Sequence, residues 1–331
     1  RPGHGDYSFF KKFKIYDYRG GGRISGRETI SRVAASAVVS ELIKPIEIKV
    51  YPVQIGEICV SEIDHNFSNE LSWPDKITFP HLIAYLDAIK TEGNSVGGIV
   101  ECSIVKIPAG LGDPVFEKLD ANLAKAVISI GSVKGIEFGD GFKAAAAKGS
   151  ENNDQISNSG FITNHSGGIL GGISTGQEIK FRFVVKPTPS IKLKQSTINS
   201  KNEKVELKLE GRFDTCIIPR ILPIAKAMVT LVLADAVSYQ KLVSGDELNL
   251  YDYREALDKI DEDILIALKR RLKISELIGA FKKSNQLPVN DLNREQELLE
   301  NLNKKADQLG LKRSSVQQIW KLLISDSKEI Q

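Results

Sequence analysis

The stretch Asp17-Tyr18-Arg19-Gly20-Gly21-Gly22-Arg23-Ile24-Ser25-Gly26-Arg27-Glu28-Thr29 governs the reading of this chain. Three consecutive glycines let the backbone approach a ligand closely, and the flanking arginines can grip phosphate or carboxylate in a forked, bidentate way. Ile30, Val33, Ala34, Ala37 and Val38 then recur at helical spacing. The loop therefore predicts amides, Arg23 and Arg27 gathered at a helix N-terminus, where anions are favoured. Two plainer readings stand beside an anion or nucleotide-phosphate site: an RNA-binding arginine-glycine tract and a simple glycine turn. Such tracts are usually repeated and disordered, whereas this one is single and runs into an amphipathic helix.

The 331 residues leave room for about two domains, and the apolar and charged fractions are those of ordinary globular protein. A net charge of +3 gives no argument for nucleic acid as a partner. Cys59, Cys102 and Cys216 lie far apart without metal-ligand spacing, and an odd count speaks against a disulfide framework. A reducing, cytoplasmic setting with no bound metal is expected. The richest apolar run, Ala227 to Val237, is interrupted and too short to span a bilayer, so no membrane partner is expected, and no secretory signal opens the chain. Residue 1 is arginine and already begins a motif, as though the sequence were the inside of a longer protein.

That motif is Arg1-Pro2-Gly3-His4-Gly5-Asp6. A lone histidine is more often structural than catalytic, but His4 sits beside arginine and glycine nineteen positions before Arg23. Taken together, Arg1-Pro2-Gly3-His4 and Asp17-Tyr18-Arg19-Gly20-Gly21-Gly22-Arg23 resemble chorismate synthase. Later segments follow the same order. Ile46, Ile48 and Val50 alternate with charged residues as a half-buried strand, and a helix is expected from Pro80 through Leu82, Ile83, Leu86 and Ile89. Gly93-Asn94-Ser95-Val96-Gly97-Gly98, a strand from Ile99 to Ile107, and Pro108-Ala109-Gly110-Leu111-Gly112 come next, with Asn94 where the family usually has aspartate. A helix near Asp113-Pro114 is expected to lead to Gly131-Ser132-Val133-Lys134-Gly135 and Gly139-Asp140-Gly141-Phe142. Asn164-His165-Ser166-Gly167-Gly168-Ile169-Leu170-Gly171-Gly172 would suggest a dinucleotide fold, but an alternating strand, Ile179 to Val185, follows it instead of a helix. Lys186-Pro187-Thr188-Pro189-Ser190, a strand through Val205, Leu207 and Leu209, Gly211-Arg212-Phe213-Asp214-Thr215-Cys216 and a helix from about Pro223 to Lys241 complete the likeness, which runs to about residue 242.

The resemblance implies an α+β sandwich of helices and antiparallel sheets. It also implies an anti-1,4 elimination of phosphate from 5-enolpyruvylshikimate 3-phosphate, giving chorismate with reduced FMN, NADPH being a candidate reductant for the flavin. On the family pattern Arg23, Ile24, Ser25, Gly131, Ser132, Gly171, Lys186, Pro187, Thr188, Pro189, Ser190 and Arg212 would hold FMN, with Ile24 in place of the usual serine. His4 would be the general acid near the leaving phosphate. Asp214 would take part in proton transfer at the flavin, and Arg1, Arg27 and Arg212 would meet the substrate's anions. Phe213 and Thr215 stand where histidine and proline are common. Read without its neighbours, Asp214 is an ordinary turn aspartate after a strand. The family carries more sequence before Arg-Pro-Gly-His, including a second histidine in a Gly-Glu-Ser-His-Gly setting, so a chain of these residues alone is expected to be a crippled synthase.

Beyond a linker at residues 244–250 the pattern becomes helical. Leu257, Ile260, Ile264, Leu268 and Ile274 trace an apolar stripe through a run from about Asp252 to Lys283. A helix of that length spans roughly 45 Å and needs a partner to cover it. Helices from about Leu292 to Leu309 and from Ser314 to Ser327 follow. Arg271 and Lys282, eleven apart, share one face of the long helix, while Arg254 is rotated about 100° from Arg271. Spacing alone favours a solvated coiled-coil face. The full set, Arg254-Glu255, Ile260-Asp261, Arg271, Gly279, Lys282, Pro288-Val289, Asp291, Arg294-Glu295, Ser327 and Gln331, resembles the all-helical class of chorismate mutase over residues 251–331. That likeness implies an intertwined dimer in which Arg254 reaches the partner's site. In it Arg254, Arg271 and Arg294 would hold the carboxylates, Lys282 and Gln331 the ether oxygen, and Asp291, Glu295 and Ser327 would orient the ring hydroxyl and the arginines. No cofactor is implied for this half.

The combined expectation is two domains, residues 1–243 and 251–331, making and then consuming chorismate in a homo-oligomer, with tetramers implied by the synthase likeness. Two alternatives remain: an active mutase carrying an inactive synthase scaffold, and a non-catalytic flavin- or phosphate-binding protein with a helical dimerisation module.

Overall fold

Strand β9 (Ile179–Val185) lies inside the main sheet, though it is the last of the five strands in the chain. The computed structural model describes residues 1–15, 22, 25–199, 201–244 and 250–330, so the Asp17–Gly21 part of the glycine loop, Arg23, Ile24 and Gln331 lie outside the described residues. Contacts divide the chain into two units, residues 1–245 and 246–331.

In the first unit, α1 (Asp6–Phe13) and a 3-10 turn (Gly26–Glu28) precede α2 (Thr29–Val39), β1 (Glu47–Ile55), β2 (Ile58–Cys59), α3 (Phe79–Glu92) and β3 (Gly98–Val105). Then come α4 (Leu119–Ile128), β4 (Val133–Phe138), α5 (Gly149–Asn152) and the short pairs β5 (Ile156–Ser157) with β6 (Gly160–Phe161) and β7 (Ile169–Leu170) with β8 (Ile173–Ser174). After β9 follow the hairpin β10 (Gln195–Ile198) and β11 (Lys204–Leu207), and α6 (Ile218–Ser244). The main sheet runs β2-β1-β3-β9-β4 with every neighbour antiparallel.

Register puts Cys102 of β3 between Val50 and Phe181. Along β9, Ile179, Phe181, Phe183 and Val185 are buried in a core shared with Leu119, Leu123 and Val127 of α4 and Ile218, Ile221 and Val229 of α6. The alternate residues Lys180 and Arg182 face the other way, where Arg182 pairs with Glu137 at 2.7 Å and Tyr51 donates to Glu101 at 2.7 Å. Burial, the Glu101 bond and the nearby carboxylates push the Tyr51 phenol well above its ordinary pKa.

Four local expectations are corrected. The helix placed near Asp113-Pro114 begins at Leu119, because Asp113 N bonds Glu117 O within a turn and Leu119 N bonds Gly172 O. Pro223 lies inside α6, which already starts at Ile218, its first turn closed by Arg220 N and Ile221 N on Ile217 O. The strand drawn through Leu209 ends at Leu207. In α2 the packed face is Thr29, Arg32, Val33, Ser36 and Val39, whereas Ile30 and Val38 are exposed. Of the stripe read from spacing only Val33 is on the packed side; Ala34 and Ala37 are exposed with Ile30 and Val38, and Arg32 reaches Met228 of α6.

Among the described helices, α6 alone is long and apolar enough to cross a membrane, with a window hydropathy of 1.8. The apolar run Ala227 to Val237 is the middle of this helix, which extends over 27 residues from Ile218 to Ser244. Ile218, Ile221, Ala225, Val229 and Leu233 of this helix are buried in the sheet core.

The second unit holds α7 (Leu250–Ser284), α8 (Leu292–Gln308) and α9 (Arg313–Ile330). Its 35 residues make α7 about 52 Å long. Ala306, Val316, Ser275 and Ser327 are buried, while Leu257, Ile260, Ile264 and Ile274 of α7 are each at least half exposed. Arg313 grips Asp307 across the turn between α8 and α9, holding the Asp307 carboxyl below its usual range.

Candidate active sites

A cleft of about 760 Å³ opens in the first unit where five separate segments meet. Gly3, His4 and Gly5 precede α1, and Ser25 to Thr29 lead into α2. Ser129 to Ser132 leave the C-terminal end of α4, and Lys186, Thr188 and Pro189 follow β9. Asp214, Ile217 and Arg220 enter α6. Its charged lining is four cations, Arg27, Arg32, Lys186 and Arg220, against two carboxylates, Glu28 and Asp214. The excess of two positive charges, His4 apart, suits an anion in the size range of ordinary ligand sites.

The wall is tied by backbone contacts that fix these segments relative to one another. Lys186 N bonds Ser132 O at 2.9 Å, and the Lys186 ammonium donates to Gly3 O at 2.6 Å. Thr188 Oγ1 donates to Asp214 O at 2.9 Å, and Ser95 Oγ donates to Thr188 O at 2.8 Å. Gly3 holds φ +70°, and a Cβ there would lie 3.2 Å from Pro189 Cβ, so the first loop and the Pro-Thr-Pro segment approach closely.

At the mouth, His4 Nδ1 lies 2.5 Å from Asp6 Oδ1, while Arg1 Nε donates to Asp6 Oδ2 at 2.9 Å. Burial alone would raise the Asp6 carboxyl, but Arg1 and His4 outweigh it and hold it at about 2. Arg220 Nη1 pairs with Asp214 Oδ2 at 2.9 Å. Arg32 bridges Glu28, in the turn just before α2, to Ser129 Oγ at the end of α4, the latter at 2.8 Å.

Of the residues singled out from sequence, His4, Ser25, Arg27, Gly131, Ser132, Lys186, Thr188, Pro189 and Asp214 line this cleft. Arg1 reaches it through His4 and Asp6. Pro187, Ser190 and Arg212 are not in its lining, and Pro187 and Arg212 are exposed. Gly171 is not brought there. It sits in the β7–β8 turn beside the start of α4, where Leu119 N bonds Gly172 O, whereas Gly131 follows the other end of α4 about 15 Å away. Arg23 and Ile24 lie outside the described residues. Asp6, Arg32 and Arg220 are not among the residues singled out from sequence, though Asp6 closes the Arg1–Asp6 motif two residues after His4, and Arg220 falls six after Asp214, between the marked Gly211–Cys216 block and the helix expected from Pro223.

In the second unit Arg271 donates to Leu323 O at 2.7 Å and to Ser327 Oγ. Ser275, one helical turn past Arg271 and buried, donates to the same Ser327 hydroxyl at 3.2 Å. Lys282 Nζ donates to Val289 O at 2.7 Å. Asp291 caps α8 by accepting from Arg294 N at 3.0 Å, and Glu295 pairs with Lys328 at 2.7 Å. The Arg294 guanidinium turns to Glu297. Arg271 and Ser327 are thus joined directly. Arg254 lies about 26 Å back along α7 from Arg271, too far to meet the same small ligand within one copy. Gln331 lies outside the described residues.

Comparison with known proteins gives these two clusters a context. Residues 1–238 match the family model described as chorismate synthase, and residues 253–331 match chorismate mutase type II. A chorismate synthase of Lachnospira eligens is 47% identical over 247 residues, covering 72% of this chain and 68% of that protein. One of Syntrophus aciditrophicus is 46% identical over 251 residues, covering 74% and 71%. A crystal structure of chorismate synthase superposes with a TM-score of 0.57 at 27% identity, covering 78% of this chain and 76% of the other. The chain belongs to the chorismate synthase family and carries a chorismate mutase type II domain after the synthase region.

Proposed function

We propose that the two units catalyse consecutive steps: elimination of phosphate from 5-enolpyruvylshikimate 3-phosphate to chorismate, then rearrangement of chorismate to prephenate. The cleft that gathers His4, Arg27, Lys186 and Asp214 from distant parts of the chain is the observation that carries the first step. Its fit to a flavin mononucleotide is tested by its donor set: an excess of positive charge, the Ser25–Thr29 helix entry, and Gly131–Ser132 with Ser132 at φ +77°. These suit a phosphate-bearing ligand with a polar ring edge. Ser25, Gly131, Ser132, Lys186, Thr188 and Pro189 would hold reduced FMN, with Arg23, Ile24, Pro187 and Ser190 beside them in sequence and Arg212 two residues before Asp214. The flavin supplies a transient electron when bound. NADPH is the proposed source of reducing equivalents.

The residues of this chain bind and orient. Arg1 and Arg27 receive the substrate's carboxylate and phosphate, and His4 delivers a proton toward the departing phosphate. Asp214, held by Arg220, is the proton acceptor at the other side of the cleft. The mutase step needs no acid, base or cofactor, only a dicarboxylate held compact with charge stabilised at the ether oxygen. Arg271, Arg294 and a partner copy's Arg254 take the carboxylates. Lys282 and Gln331 meet the ether oxygen. Asp291, Glu295 and Ser327 fix the hydroxyl and the arginines. This assignment is supported by the Arg271–Ser327–Ser275 cluster and by the exposed apolar stripe of α7, which asks for a second copy. A cytoplasmic homo-oligomer, tetrameric through the first unit and an intertwined pair through the second, with residues 1–243 and 251–331 as its domains, is the assembly proposed.

Phosphate release from 5-enolpyruvylshikimate 3-phosphate, measured anaerobically with reduced FMN and with the organic product identified, tests the reading. Release with prephenate as product is the expected result. No release, with added chorismate still converted, would leave only the mutase step.

A further inference from the structure

We propose that Asp6 is the positioning residue for His4, accepting its Nδ1–H and so leaving Nε2 as the ring nitrogen that takes up and gives up a proton in the cleft. The inference rests on the reading of His4 as the proton donor. Asp6 Oδ1 lies 2.5 Å from His4 Nδ1, and a carboxylate accepts but does not donate, so the shared hydrogen belongs to the imidazole. The carboxylate cannot turn away. Its second oxygen accepts from Arg1 Nε at 2.9 Å and lies 3.4 Å from the main-chain nitrogen of residue 1. Asp6 is itself only 9% exposed. It also opens α1, so its Cα is fixed by a regular element while His4 stands on the loop before it.

Charge makes the arrangement more than a tether. The Arg1 Nη2 atom lies 3.1 Å from His4 Nε2, and Lys186 stands behind Gly3, so two cations oppose protonation of the ring. From the cleft, Arg27, Arg32 and Arg220 face Glu28 and Asp214, with each carboxylate beside an arginine. Asp6 is the anion in direct contact with the imidazole. Its negative charge offsets that of Arg1 beside the ring, so the imidazole can take a second proton at Nε2.

Selective 15N-histidine labelling of the full chain reads this directly, since the chain has four histidines and His4→Gln identifies one resonance set. In the unsubstituted protein neutral His4 should be the Nδ1–H tautomer. Asp6→Asn keeps an acceptor but removes the charge, and should lower the His4 titration midpoint by about one unit or more. Asp6→Glu, which restores the carboxylate, should recover most of it. In phosphate release the limb of the pH profile assigned to His4 should move the same way. Unchanged tautomer and midpoint in Asp6→Asn would overturn the proposal, as would an Nε2–H tautomer in the unsubstituted chain. If His4→Gln retains full phosphate release, the proton-donor reading fails while the Asp6–His4 coupling is still decided by the titration.

Discussion

Ser275 and Gly98 show what single positions hold in place. The Ser275 hydroxyl is buried on α7, and its donation to Ser327 leaves that oxygen aligned to receive Arg271. Ser275→Ala removes one neutral hydrogen bond, worth about 1 kcal/mol, and should lower mutase kcat/KM about fivefold while helical content is unchanged. Steady-state rates at several chorismate concentrations check it; an unaltered kcat/KM would show that Ser327 needs no second support. Gly98 is a different kind of constraint. A Cβ there would lie 2.1 Å from Gln54 O, across the β1–β3 pairing where the register shifts between Pro52 and Gln54. Gly98→Ala should cost about 2–3 kcal/mol in urea unfolding through overpacking. In the sequence the glycine cluster at residues 93–98 is part of the synthase likeness; at Gly98 the demand for glycine comes from strand spacing.

At the scale of elements, Asp75 organises the loop between β2 and α3. Only 1% exposed, it accepts from Ser61 N and Oγ, Glu62 N, Ile77 N and Thr78 N, and Trp73 beneath it is wholly buried with Nε1 on Thr78 Oγ1. Burial pushes the Asp75 carboxyl up, but these donors outweigh it and hold it far below the usual range. Its folded-state value is depressed, so its contribution is present above the unfolded-state pKa near 3.9 and is lost as pH falls below it. Asp75→Ala should cost about 3 kcal/mol at neutral pH, with the difference from the parent shrinking on acidification, as seen by denaturant melts at several pH values. Nothing in the sequence marked this aspartate, because its partners are backbone amides whose convergence depends on a loop without periodicity. Strand β9 was legible for the opposite reason: one face meets a core and the other solvent, so burial alternates along Ile179–Val185. The apolar stripe of α2 misled because pattern gives a face but not its neighbour: Val33 is packed, but Ile30, Ala34, Ala37 and Val38 are exposed. His4, Lys186 and Asp214 were named through family likeness, since no spacing rule joins residues so far apart. Gly171 came from the same likeness and sits at the opposite end of α4 from Gly131.

At the scale of the whole molecule, one copy leaves two obligations unmet in its helical unit. Leu257, Ile260 and Ile264 stand exposed along α7, a stripe that costs free energy in water, at about 25 cal/mol per Å², unless another surface covers it. Arg254 sits on that helix about 26 Å from Arg271, so a second helix running antiparallel to the first would cover the stripe and carry the partner's arginine to the far site. Ile264→Asp should therefore disrupt pairing of the helical units and remove mutase activity, whereas phosphate release by the first unit should persist; a truncated residue 251–331 fragment is unnecessary for the comparison. Complementation is the sharper test. Arg254→Ala and Arg271→Ala should each abolish mutase turnover alone, by more than about a hundredfold for a lost carboxylate clamp. Unfolded together and refolded as a mixture, random pairing makes half the dimers mixed, and each mixed dimer holds one site with both arginines intact, so about a quarter of the parent activity should return under two-fold symmetry. Recovery at that level would show that each site draws Arg254 from its neighbour. Activity that stays at the level of the separate variants would mean that both arginines serve the same copy, which the length of α7 forbids without a bend in that helix.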